Sequence, residues 1–62
     1  MNYTVDAVTD ALKVLLAVAN NPGLGVSEYG RRVGLTKART FRFLATFEAS
    51  GFVLRTADAA AY

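Results

Sequence analysis

The chain has no cysteine and no histidine among its 62 residues. Missing cysteine excludes disulfide staples and thiolate metal sites, and it is the usage of a reducing compartment. Missing histidine removes the commonest general base and the commonest metal ligand. There is no apolar run of about 18 residues, so no helix is expected to cross a membrane. The nearest candidate, Ala11 to Ala19, is interrupted by Lys13 and preceded by Asp6 and Asp10. A secretory signal would place its positive charge before the apolar run, not acids. Acids are few and scattered: Asp6, Asp10, Glu28, Glu48 and Asp58. No nucleophile–base pair, glycine-rich phosphate loop or metal-ligand spacing is present. Ser27 and Ser50 read as helix-end residues. The chain is therefore expected to be a cytoplasmic non-enzyme that takes no cofactor or metal.

What is there fits one small domain over residues 1–62. A domain of this size buries a modest share of its surface and is marginal alone. Its apolar fraction is nonetheless 53%, which suggests that a partner covers some of that surface. The net charge is only +2, but five of the seven cations lie between Arg31 and Arg42. No acid interrupts Tyr29 to Phe47. Clustering of this kind, rather than the total, points to a polyanion.

Three helices are predicted, over about 6–20, 26–33 and 36–50. Asp6 is a candidate cap for the first, and Asp10 adds negative charge near its start. Val8, Leu12, Leu15 and Ala19 recur at helical spacing, with Ala11 and Val18 beside them. Val14 and Leu16 widen that stripe, as a broad core contact or as a dimer contact. Asn20-Asn21-Pro22-Gly23 ends the helix. Gly25 opens the second helix, and Glu28 is placed to reach back to its N–H as half of a capping box. Tyr29 and Val33 share a buried face. Gly30 costs about 1 kcal/mol of helix propensity relative to alanine, a loss best tolerated where another helix approaches closely. Gly34 ends the helix as a left-handed residue, and Leu35 plugs the gap.

Thr36 caps the third helix. Thr40, Phe43, Leu44 and Phe47 follow i, i+3, i+4, i+7 and should face the core. Ala38, Phe41, Arg42 and Ala45 follow the same rule on another face, flanked by Lys37 and Arg39. Gly51 closes the helix. Phe52-Val53-Leu54 reads as a short strand, 55–59 as a turn and 60–62 as a returning strand, giving a small β-hairpin wing over about 52–62.

A short helix, a tight turn and a second helix with exposed basic first turns suit a helix-turn-helix that inserts into a DNA groove. The candidate DNA-binding residues are Thr36, Lys37, Ala38, Arg39, Phe41 and Arg42, with Arg31 and Arg32. Arg39 and Arg42 lead, since an arginine grips guanine O6 and N7 or holds a phosphate. Phosphate contact is the simpler role for Arg31, Arg32 and Lys37. Phe41 either meets a thymine methyl group or packs on a neighbouring element. The alternative to DNA is a winged-helix module that binds protein. It is favoured if the arginines fold into salt bridges and leave an apolar patch over Phe41.

The ordered set Ala11-Leu12, Val14-Leu15, Ser27-Glu28, Arg31-Arg32-Val33-Gly34-Leu35, Lys37, Arg42-Phe43-Leu44-Ala45-Thr46 and Gly51-Phe52-Val53 resembles the N-terminal winged helix-turn-helix of IclR-type bacterial transcription regulators. The likeness runs from Asp10 to Arg55 and loosely to Tyr62. It implies a mainly α fold with a small wing, the helix from Thr36 in the major groove of double-stranded DNA, and a homodimer on a pseudo-palindromic operator. It also implies that a small-molecule effector would need a C-terminal domain beyond these residues, so the chain is expected to be a fragment or an expressed domain, with a short natural protein as the alternative. The chain departs from the family pattern at Gly25 (commonly threonine), Gly30 (alanine), Arg39 (a small hydroxyl residue), Thr40 (valine) and Phe41 (a polar residue). The wing tip lacks the usual glycine and basic residues. The last three helix positions lie on or beside the reading face, so no base preference carries over.

Overall fold

Local chemistry sets the helix ends. The computed structural model describes residues 3–56 and 60–62. Its helices are α1 over Asp6–Asn20, α2 over Val26–Val33 and α3 over Lys37–Ala49, and each packs on the other two. Gly25, extended, opens α2, and Gly34 closes it in the left-handed region at φ 76°. The amides of Gly34 and Leu35 both return to the Gly30 carbonyl, at 2.9 and 3.0 Å. Thr36 caps α3, its hydroxyl accepting from the Arg39 amide at 3.2 Å. At the far end Gly51 is left-handed. Phe52 N–H donates to Phe47 and Gly51 N–H to Glu48, the paired bonds of a Schellman stop.

Two expected caps are corrected. Val5, not Asp6, stands at the N-cap of α1 and makes no side-chain cap bond. A capping side chain must sit on an extended residue outside the helix, and Asp6 is already helical. Glu28 does not complete a capping box. Its carboxylate accepts from Arg31 and Arg32 instead, and two charge-assisted bonds outweigh one to a backbone amide.

The interior consists of Val14, Val18, Tyr29, Leu44, Val53 and Tyr62, with buried Thr40 beside them. On α3 the expected face is observed: Thr40 and Leu44 are fully buried, and Phe43 and Phe47 pack partly buried against the core. On α1 it is not. Val14 and Val18 are buried, whereas Val8, Leu12, Leu16 and Ala19 are exposed, and Leu15 is half-buried. The core uses the stripe rotated away from Val8 and Leu12. At Gly30 the expected close approach is tight: a Cβ there would lie 3.0 Å from the Leu35 carbonyl oxygen and 3.1 Å from Thr40 Oγ1.

The wing is only partly realised among the described residues. No strand forms over Phe52-Val53-Leu54 there; Val53 points inward while Phe52 and Leu54 are exposed. The Thr56 amide donates to the Ala61 carbonyl at 2.9 Å, and its hydroxyl lies 3.5 Å from the same oxygen. The expected turn residues 57–59 lie outside the described part. The final residues pair mainly with the α1–α2 loop. Gly25 and Ala61 form an antiparallel bridge, Tyr62 N–H donates to Leu24 and Gly23 N–H to Tyr62. Tyr29, fully buried, fastens this seam. Its hydroxyl donates to the Asn21 carbonyl at 2.6 Å, accepts from the Leu24 amide at 3.2 Å and lies 3.2 Å from the Tyr62 carbonyl. A ladder needs consecutive pairs, and here the loop offers only its few residues before α2 begins.

Candidate nucleic-acid interface

The predicted residues of α2, the turn and α3 are exposed, with one exception. Thr36, Lys37, Ala38, Phe41 and Arg42 are exposed on the first turns of α3, and Arg31 and Arg32 are exposed on α2. The Thr36 hydroxyl is engaged as the cap. Lys37 and Arg42 make no ion pair among the described residues. They are therefore the freest cations of the cluster. Ala38 between them gives a surface low enough for close approach. Phe41 is 48% exposed, so packing on a neighbouring element covers only about half of it.

The exception is Arg39. It is half-buried and leans toward α1, where its guanidinium donates to Asp10 Oδ2 at 3.3 Å. The same group lies 5.1 Å from the centroid of the Phe43 ring, within cation–π range. Phe43 in turn stacks on Phe47. Arg39, Arg42, Phe43, Thr46 and Ala7 line a shallow pocket of about 230 Å³ between α1 and α3. Asp10 is thus a member of this surface that the sequence reading treated only as a helix-start charge. The one hint, an acid a turn before apolar Val14, becomes a signal only once the fold shows Val14 to be buried, since an acid beside a buried position needs a cationic partner.

Three other cations are also paired. Arg31 and Arg32 share the Glu28 carboxylate, and Arg55 lies 3.9 Å from Glu48. The hydrogen bond from Arg31, then that from Arg32, holds the Glu28 carboxyl below its ordinary value. These pairs are exposed, and solvent screens such pairs so that they add little to stability. A phosphate oxygen can replace the carboxylate at little cost. The surface is thus a basic rim around an exposed α3 start, with most of its charge provisionally occupied by the protein's own acids. Among the described residues no cluster of acids that could hold a metal ion is present, and no helix is long and apolar enough to cross a membrane.

Comparisons with known proteins agree with this geometry. The model of the IclR helix-turn-helix domain matches residues 7–57, most of the chain. It spans all three helices and the turn between α2 and α3. No curated protein and no solved structure gave a significant match. The family is one of DNA-binding transcription regulators. With the match covering α2, the Gly34 turn and α3, this chain belongs to the IclR helix-turn-helix family.

Proposed function

We propose that the chain binds double-stranded DNA sequence-specifically and without catalysis, with the start of α3 in the major groove. The observation that carries this reading is the pairing of exposed Lys37 and Arg42, free of ion pairs among the described residues, on the outward face of α3. Arg42 is the residue for a guanine edge or a phosphate, and Lys37 for a phosphate. Thr36, Ala38 and Phe41 flank them, with Phe41 against a thymine methyl group. Arg31 and Arg32 exchange Glu28 for backbone phosphates. Neutralising about four phosphates gives a log–log salt slope of roughly −4. One such domain binds weakly, so a homodimer is part of the reading. Two copies would set their α3 helices about 34 Å apart, one DNA turn. Support for the dimer comes from α1, whose exposed Leu12 and Leu16, with Leu15 and Ala19, line an apolar groove of about 400 Å³.

The second reading, a winged-helix module that binds protein, is favoured by two observations. Four arginines sit in ion pairs, and about half of Phe41 is uncovered. Titration of duplex DNA at two salt concentrations decides between them. Salt-dependent binding that falls with Lys37→Ala plus Arg42→Ala is expected. Undetectable binding at low salt, or binding indifferent to that double change, gives the field to the protein-binding module.

A further inference from the structure

We propose that Asp10 is a built-in competitor for the DNA backbone, holding Arg39 off the polyanion until a phosphate displaces it. The inference rests on the DNA-binding reading above and concerns how strongly that surface binds. Asp10 belongs to α1, one turn beyond Ala7, which lines the pocket with Arg39 and Arg42. Its carboxylate meets the Arg39 guanidinium at 3.3 Å across 29 residues of sequence. The Phe43 ring underlies the same guanidinium at 5.1 Å. Acid and ring together give Arg39 one defined resting place between α1 and α3. Both side chains of the pair stay partly accessible, 43% for Arg39 and 26% for Asp10. Arg39 is therefore reachable by a phosphate, and the pair is separable without unpacking the core.

The Glu28 pairs differ in one respect that matters here. Arg31 and Arg32 are held by an acid on their own helix, at positions three and four back, so both remain on the α2 rim whether paired or not. Arg39 is held by an acid on another helix, which draws it to the flank of α3 next to Arg42. Losing Asp10 would thus change where a cation sits as well as add one net positive charge. The expected result is a surface with one more cation available to DNA. Asp10 is a positioning residue in this account, acting through Arg39.

The test compares salt dependence of binding to a mixed-sequence duplex for wild type, Asp10→Asn, Arg39→Ala and the double variant, with Asp6→Asn as the control for net charge. Asp6 lies on the same helix, and no ion pair is seen for it among the described residues. Asp10→Asn should strengthen binding by up to about fivefold at each salt concentration, with the log–log slope little changed, because Arg39 meets the same phosphate in both proteins. Arg39→Ala should erase that gain, and Asp6→Asn should not reproduce it. If wild type binds and Asp10→Asn behaves as Asp6→Asn does, the competition is overturned while the DNA-binding reading stands. If neither wild type nor Asp10→Asn binds, both are overturned. Should Asp10→Asn fail to fold by thermal melting, the wild-type chain still decides the matter. The Arg39 Nε–H resonance should move on adding duplex DNA together with the Asp10 carboxylate carbon. Movement of Arg42 with Arg39 and Asp10 unchanged sinks the proposal.

Discussion

α1 and α3 are both rich in apolar residues, yet only α3 declares its buried face. On α3 the outward positions carry Lys37, Arg42 and Glu48, so polar residues mark off the inward stripe of Thr40, Phe43, Leu44 and Phe47. From Ala11 to Ala19, α1 has a single polar residue, Lys13. Two stripes are then equally periodic, one through Val8, Leu12 and Ala19, the other through Val14 and Val18. The molecule buries the second and leaves the first in solvent. Periodicity finds a helix and its candidate faces. It takes a polar boundary to say which face belongs to this chain's own core.

The comparison is broken most forcefully at its buried centre. Leu44→Ala should cost about 2–5 kcal/mol, a large share of what a domain of this size holds in total. Leu12→Ala on the exposed stripe of α1 should change the stability of the dilute monomer by less than about 0.5 kcal/mol. Denaturant melts of the two variants check this, and equal losses would mean that Leu12 is a core residue after all. At higher concentration, a loss confined to Leu12→Ala would mark the exposed stripe as the dimer contact.

A smaller effect is expected at the seam that joins α2 to the chain's last described residues. Tyr29→Phe keeps the buried ring but strips the hydroxyl from the Asn21 carbonyl and the Leu24 amide. Leaving such partners unsatisfied costs about 1–3 kcal/mol. The melting midpoint should fall by less than for Leu44→Ala, and amide exchange at Leu24 should quicken. An unchanged midpoint would show that water replaces the hydroxyl freely.

Smallest of all is the α2 surface. The Glu28 carboxyl is held below its ordinary value chiefly by the Arg31 hydrogen bond. Its contribution is therefore fully present above the ordinary carboxylate range. It fades as the pH falls through the lowered value, where the folded carboxyl takes up its proton. Glu28→Gln should lower stability slightly at neutral pH and converge with wild type at low pH, which flattens the acid side of the stability–pH curve. A profile identical to wild type would mean that the two arginines do not act on Glu28 in solution.

These contrasts also explain what could be read in advance. Thr36, Gly25, Gly34 and Gly51 act on their nearest neighbours, so their roles were legible from the residues alone. Gly30 was legible as a close approach because a glycine inside a helix is costly without one. The Arg39–Asp10 contact was not, since it links helices through tertiary placement. Its nearest hint was the acid beside a buried stripe on α1. Asp6 and Glu28 were misread because each had a better alternative within one turn: a helical backbone for Asp6 and two arginines for Glu28. The wing was half legible. A returning segment was expected over 60–62, and Thr56 does bond to Ala61. The pairing of Ala61 and Tyr62 with Gly23 to Gly25, however, depends on a loop about forty residues earlier in the chain, a distance over which sequence pattern specifies nothing.

The Tyr29–Tyr62 contact spans 33 residues, and that separation has its own thermodynamics. Closing a flexible loop of such length costs about 3 kcal/mol of chain entropy beyond a constant. A hydroxyl bond nets about 1 kcal/mol, so it cannot draw the two ends together. Burial of Val53 and of the Tyr62 side chain is worth about 1.5–3 kcal/mol each, enough to offset the closure. Apolar burial therefore brings the segment home, and the Tyr29 hydroxyl decides the register in which it lands.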